Sequence, residues 1–481
     1  MGVLSGLEPE RVFYYFEEIS KIPHGSGNTK RISDYIVSFA AEHGLEYLQD
    51  HAGNVIISKA ASPGKEGSDP VMLQGHMDMV AAKTADAAAD MEKDGLKLLV
   101  KDGRISADKT SLGGDDGIAV AYMLTLLESD ALVHPPLECV FTVDEEIGML
   151  GASALDMSVL KARRLINLDS ETEGVLCVSC AGGVSVTTHL QVVEKPAFPQ
   201  GVLVRISGCM GGHSGQEIDK GRANAIRELG RFLYALRTHT PFRIARVQGG
   251  TQDNAIPSSA EAVLTFPEEE NASVVMEQAR LAQEVFRKEY ALTDPEISVT
   301  CETTQTGGTA FGTHTTNRVI AAMRGLPNGV QRMSPQAGGP VQTSVNLGFV
   351  ETSFGEVNLH FCVRSSVASE KTEVVERIKC LTEFLGGYTT LAGDYPGMPY
   401  LEDSPLRDTM VDVFRQQYGK EPVVEAIHAG LECGLFAGGI EGLDYVSIGP
   451  DMEGIHSVSE TLDIASTQRT WKYLTAVLER L

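Results

Sequence analysis

Residues 71–78 read Val-Met-Leu-Gln-Gly-His-Met-Asp. An apolar run of strand length that ends in His-x-Asp places polar side chains at the carboxyl end of a buried strand. Three other runs end alike: Leu137 to Val143 leads into Asp144-Glu145-Glu146, Leu165 to Leu168 into Asp169, and Tyr445 to Ile448 precedes Gly454-Ile455-His456. Helical spacing fills the intervals, with Val12, Tyr15, Phe16 and Ile19 after Pro9, then Ile32, Tyr35, Ile36 and Phe39 before Gly44, then Ile118 to Leu127. This alternation predicts an α/β fold, a central and mostly parallel mixed sheet flanked by helices.

From about residue 185 the pattern changes to strand and helix pairs. Val202 to Ser207 precedes a helix bearing Ile226, Leu229, Leu233 and Leu236, and Val357 to Val363 precedes one bearing Val374, Ile378, Leu381 and Leu385. Between them the Gly/Thr/Pro-rich stretch 304–344 reads as loop-heavy. The α/β pattern of the N-terminal part returns with a helix over Leu406 to Tyr418. The expectation is one discontinuous α/β domain, 1–184 and 392–481, interrupted by an inserted α+β lid and dimerisation domain, 185–391.

Length and composition agree with two or more folded units. The chain has 481 residues, 42% of them hydrophobic, against roughly 150 per domain. Its 65 acidic and 40 basic residues leave a net charge of −25, which repels phosphate backbones and anionic lipid while attracting cations. Nucleic acid and membrane are therefore excluded as expected partners. No apolar run approaches the ~20 residues of a membrane helix, and the first 25 residues lack the basic start and apolar core of a secretory signal. Eight scattered cysteines without framework spacing point to a reducing, cytoplasmic setting. Cys177 and Cys180 form a C-x-x-C in a strand-like segment, where their side chains diverge; buried, inert thiols are expected there.

The chemistry sits at the strand ends, where open α/β sheets bind ligands. A fifth segment, Leu112-Gly113-Gly114-Asp115-Asp116-Gly117, opens the Ile118 helix. Singly, each signal is weak: a His-x-Asp is usually a turn, paired glutamates are usually solvated, and Asp115 or Asp116 could cap the helix. Jointly, imidazoles and carboxylates without thiolates suit hydrolytic zinc, manganese or cobalt. Charge balance favours two ions over one. Two divalent cations offset three carboxylates and a bridging hydroxide, whereas a single ion leaves that many carboxylates under-compensated.

The ordered set His76-Met77-Asp78, Gly113-Gly114-Asp115-Asp116-Gly117, Asp144-Glu145-Glu146-Ile147-Gly148, Asp169, Gly211-Gly212-His213-Ser214-Gly215 and His456 resembles the aminoacylase/carboxypeptidase superfamily of dinuclear zinc peptidases. Within it, the chain is most similar to the cytosolic non-specific (aminoacyl-histidine) dipeptidases along nearly its whole length. The resemblance implies two divalent ions, zinc first, with cobalt or manganese as alternatives. It implies that His76 and Asp169 hold one ion, Glu146 and His456 the other, and that Asp115 bridges both. Asp78 would orient His76, and Glu145 would act as general base toward a metal-activated water. Neighbours in extended backbone project oppositely, which would let Glu146 ligate while Glu145 faces that water. His213 would help stabilise the oxyanion, and Asn254 and Arg364 would bind the substrate's carboxylate. The implied protein is a homodimer acting on dipeptides with free amino and carboxyl termini. Asp116, where relatives often carry Asn, and the absence of a proline beside His456 depart from the pattern without removing a ligand.

Two other readings compete. An N-acyl-amino-acid deacylase or aminopeptidase of the same superfamily would share the metal residues, and a metal-binding scaffold without catalysis would share them too. A storage site, however, has no need of Glu145.

Overall fold

The computed structural model describes residues 2–268, 270–335 and 339–481. The chain forms two compact units. The first is Met1–Cys180, Met398–Ala426 and Leu431–Leu481; the second is Ala181–Gly397 with Ile427–Gly430.

The first unit is built on an eight-stranded sheet in the order Glu46–Gln49, Val55–Lys59, Leu137–Thr142, Val71–His76, Arg164–Asn167, Asp444–Ser447, Val175–Cys180, Val423–Ile427. Its four central strands are parallel. All six residues of Val71–His76 are buried, as expected of a strand covered on both faces. Gly75 is required there: a Cβ would lie 2.5 Å from both the Ala119 Cβ and the Asp116 Oδ2, so the helix Gly114–Glu128 packs on this strand at glycine distance. That helix is buried from Gly114 to Leu127, in keeping with a sequence apolar all round. Glu10–Ser20 turns Val12, Phe13, Phe16 and Ile19 into the same core. Parallel register sets the carboxyl ends side by side, with Gln74 beside Asn167 and Asn167 beside Ser447.

The second unit carries a nine-stranded sheet, antiparallel among its described residues, whose long members include Gly182–Gln191, Gln200–Ser207, Ala260–Phe266, Val341–Ser353 and Glu356–Ser365. Along Gly182–Gln191, Val184, Val186, Thr188 and Leu190 are buried while Ser185, Thr187 and His189 are not. This alternation marks a sheet covered on one face. The helices Ala225–Leu236, Asn271–Glu289, Thr313–Gly325 and Ala368–Phe384 pack into its core.

The loop-heavy reading of 304–344 is corrected. The stretch contains the helix Thr313–Gly325, which buries Thr315, Thr316, Val319, Ile320 and Met323, and the strand Gly329–Met333. Residues 336–338 of it lie outside the described residues. Cys177 and Cys180 are buried on the strand Val175–Cys180, and burial pushes the Cys180 thiol up to about 11.

Candidate metal centre

Six of the residues singled out from the sequence gather at the carboxyl end of the first unit's sheet. Asp115 is central. Its Oδ1 lies 3.0 Å from His76 Nε2 and its Oδ2 3.1 Å from His456 Nε2. His456 Nε2 is also 2.9 Å from Glu146 Oε2, and His76 Nε2 is 3.8 Å from Asp169 Oδ1. Glu145 joins them, with ligand atoms of His76, Glu145 and Glu146 all within 4.8 Å of one another.

Local structure explains these placements. His76 closes its strand, so its ring stands at the carboxyl end of the sheet. Asp115 and Asp116 have non-helical backbone angles, and neither side chain caps the helix that follows. Asp115 instead turns toward the two histidines. The four N–H groups at that turn are taken by Glu460, whose Oε2 accepts from Leu112 and Gly113 and whose Oε1 accepts from Gly114 and Asp115. Gly454 and His456 both have positive φ, 65° and 59°, which turns the loop so that the His456 ring reaches Asp115.

Asp78 does more than its spacing from His76 suggests. The His76 Nδ1–H donates to the Asp78 backbone carbonyl at 2.9 Å, with the Asp78 carboxylate 3.5 Å away. That carboxylate accepts from Ser26 Oγ at 2.8 Å, from Glu145 N–H at 3.0 Å and from Glu146 N–H at 3.3 Å. One side chain therefore ties the His76 strand to the two glutamates. With Nδ1 committed, Nε2 is the ring atom offered to an ion. The paired glutamates do not continue an extended strand, contrary to the expectation of oppositely projecting neighbours. The strand ends at Thr142, and N–H groups of Gly148 and Met149 fold back onto the Glu145 carbonyl.

The electrostatics are those of a site overloaded with carboxylates. Burial, followed by the charge of Asp116, pushes Asp169 well above the usual carboxylate range. Burial also raises Glu145, to about 8; the His76 charge opposes it, and the carboxylates of Glu432, Glu146 and Asp115 add to it. Asp115 goes the other way: burial would raise it, but hydrogen bonds from His456 and His76 hold it well below its ordinary value. Hydrogen bonds to Asp115 and Glu146 raise His456 to about 10. For His76, burial disfavours the charged ring, yet Asp115 and Asp78 lift it well above its ordinary value.

These observations fit cations. Buried oxygens of Glu146 (Oε1) and Asp116 (Oδ1) have no hydrogen-bond partner. Among the described residues, His76 and His456 are the side chains that pair with the carboxylates of Asp115, Asp169 and Glu146. The donor set is imidazole and carboxylate, which suits hydrolytic divalent ions. Asp116 itself is fully buried beneath the centre, its Oδ2 accepting the His76 N–H at 3.2 Å.

The remaining three residues lie in the second unit and form a cluster of their own. His213 pairs with Ala255 in a two-residue ladder, and the Ser214 N–H donates to the Asn254 carbonyl at 2.9 Å. The Asn254 side chain is exposed. Arg364 is buried; it donates to the Tyr395 hydroxyl at 3.1 Å, and its Nε has no partner. Burial, helped by the Arg364 charge, lowers His213. Sequence reasoning missed Ser26 and Glu460, because each acts on a segment distant in the chain and carries no local motif.

Residues 72–480 match the family described as peptidase family M20/M25/M40. The whole chain is 35% identical over 484 residues to the cytosol non-specific dipeptidase of Escherichia coli, covering 99% of it. Among solved structures it is similar to the aminoacylhistidine dipeptidase of Vibrio alginolyticus, with 34% identity, a TM-score of 0.90, and 99% of this chain and 98% of that one covered. The aminopeptidase PepT of Bacillus cereus shares the fold at 18% identity and a TM-score of 0.55, with 98% of each chain covered.

Proposed function

Because this chain belongs to peptidase family M20/M25/M40, we propose that it hydrolyses dipeptides with free amino and carboxyl termini, Xaa-His dipeptides among them. The observation that carries this reading is the Asp115 carboxylate, which directs one oxygen at His76 and the other at His456. Such a group would serve two ions at once. His76 and Asp169 would hold one ion, Glu146 and His456 the other. When bound, the pair supplies Lewis-acid polarisation of the scissile carbonyl and a water acidic enough to ionise near neutral pH. Zinc is the proposed metal, with cobalt or manganese able to replace it.

Glu145 accepts the water's proton on its carboxylate and returns it to the departing amine nitrogen. Asp78 holds the His76 ring and the backbone of both glutamates in place. Arg364 offers a planar fork for the substrate's carboxylate, Asn254 an amide for the same group, and His213 a donor for the developing oxyanion. The second unit is the proposed lid and dimerisation domain, and the protein a cytoplasmic homodimer. For the cytoplasmic setting, the support is that the E. coli relative is named for the cytosol.

Glu145→Gln tests the reading. It should retain the wild-type metal content and lose about 10²–10⁴-fold in kcat, whereas unchanged turnover would favour a scaffold. A panel of free dipeptides and N-acetylated amino acids separates peptidase from deacylase: turnover of the acetylated compounds alone overturns the dipeptide assignment.

A further inference from the structure

Beneath the ligands lies a second polar layer, formed by Gln74, Thr142, Asn167, Ser447 and Glu432, every one of them fully buried. Gln74 and Asn167 stand two residues before His76 and Asp169, one pleat down on their strands. Glu432 enters from the residue preceding the helix Cys433–Gly439. Its Oε2 accepts from the Thr142 hydroxyl at 2.6 Å and from Gln74 Nε2 at 2.5 Å. Gln74 Oε1 accepts in turn from Asn167 Nδ2 at 2.7 Å. Asn167 Oδ1 then accepts from the Ser447 hydroxyl and from the Asp169 N–H, the latter at 3.3 Å.

The direction of every bond in this chain follows from its acidic end. Glu432 Oε2 already accepts from two donors, and any proton the carboxyl carries sits on Oε1, which has no partner, so Gln74 must turn its nitrogen toward Glu432 and its oxygen toward Asn167, and Asn167 must turn its oxygen toward Asp169. Flipping either amide alone sets donor against donor or acceptor against acceptor. We propose that Glu432 is a positioning residue for the metal centre: by fixing the polarity of the Gln74–Asn167 relay, it holds the strand ends that present His76 and Asp169 to their ion. The inference rests on the reading of those two residues as ligands.

The relay makes a prediction opposite in sign to simple charge attraction. Asn167→Asp adds a carboxylate near the centre, which by Coulomb attraction alone tightens cation binding. It also places carboxylates on both sides of Gln74, whose single amide can donate toward only one of them. Adding Glu432→Gln restores a consistent chain, reversed in direction, with the wild-type net charge.

Co²⁺ titration of the metal-free protein, followed by calorimetry and visible absorption, reads the result. Asn167→Asp should weaken the ion at His76 and Asp169 by about 10–100-fold and alter its d–d bands. The double variant should return to within about twofold of wild type. Asn167→Asp binding at least as tightly as wild type, or a double variant no tighter than Asn167→Asp, overturns the proposal. Should Asn167→Asp fail to fold, Gln74→Met breaks the relay without adding charge. The proposal then stands on an affinity loss of about tenfold with a wild-type circular dichroism spectrum, and it falls if the affinity is unchanged. A wild-type protein that takes up no Co²⁺ removes the ligand assignment and this inference together; two ions bound by wild type and equally by the variants remove only the relay.

Discussion

At the scale of single residues, Asp78 joins the most parts of the site. Its carboxylate receives the Ser26 hydroxyl and the N–H groups of Glu145 and Glu146 while lying 3.5 Å from the His76 ring. Asp78→Asn preserves the shape but puts an NH₂ where an oxygen met donors. It should lower kcat by about 10–100-fold, with Glu145 displaced from its place at the water. Ser26→Ala removes one of those bonds, worth about 1 kcal/mol, and should cost less than tenfold. Steady-state kinetics at matched metal content check the order, and a Ser26→Ala defect as large as that of Asp78→Asn would contradict it. Residue chemistry made the gathering of His76, Asp115, Glu145, Glu146, Asp169 and His456 legible, because imidazoles and carboxylates recur where strands end and where the Ile118 helix opens. Asp78 was legible by spacing, but its reach to the glutamates was not. That reach depends on a turn at Glu145 which the extended pattern did not foretell.

At the scale of elements, the helix Gly114–Glu128 depends on a residue far along the chain. Glu460 satisfies four N–H groups, those of Leu112, Gly113, Gly114 and Asp115, at the turn that aims Asp115. Glu460→Gln puts donor against donor on one side of that cradle. It should destabilise the fold by about 2 kcal/mol and weaken metal binding through Asp115. Chemical denaturation of metal-free protein alongside a metal titration tests this, and a variant equal to wild type in both would show that the turn holds itself. Helix capping by Asp115 or Asp116 is the bland alternative in the sequence; the N–H groups at this turn go instead to a glutamate 345 residues or more further along, and no local pattern announces it. The helix Thr313–Gly325 went unread for a different reason. Its buried face is Thr315, Thr316, Val319, Ile320 and Met323, and threonines in a glycine-rich neighbourhood resemble a loop although their spacing is helical.

At the scale of the whole molecule, the sequence pattern changes near residue 185 and reverts near 392, and the two compact units divide between Cys180 and Ala181 and between Gly397 and Met398. The brief excursion at Ile427–Gly430 is too short to leave a pattern. What the full fold assembles is an excess of buried negative charge, and this sets how stability responds to pH and to metal. Burial first, then neighbouring carboxylates, push Glu145 up to about 8; burial pushes Glu432 up to about 7. Each therefore binds its proton more tightly in the folded state, and its contribution to stability is lost as pH rises from the ordinary carboxylate value through the raised one. His456, raised to about 10 by Asp115 and Glu146, contributes stability that is complete below about pH 6.5 and lost as pH rises through about 10. Both trends have the same sign, so the metal-free protein should melt at progressively lower temperature from about pH 6 to about pH 9. Divalent ions compete with protons on the proposed ligands, His456 among them, and bind more tightly as these deprotonate. The rise in Tm produced by a fixed, saturating concentration of Zn²⁺ should accordingly widen over that range. Thermal melts of chelator-treated and Zn²⁺-loaded protein at each pH measure both quantities. A metal-free Tm that stays level, with a Zn²⁺ increment that does not change, would mean that these carboxylates and the His456 ring carry no proton that a cation must displace.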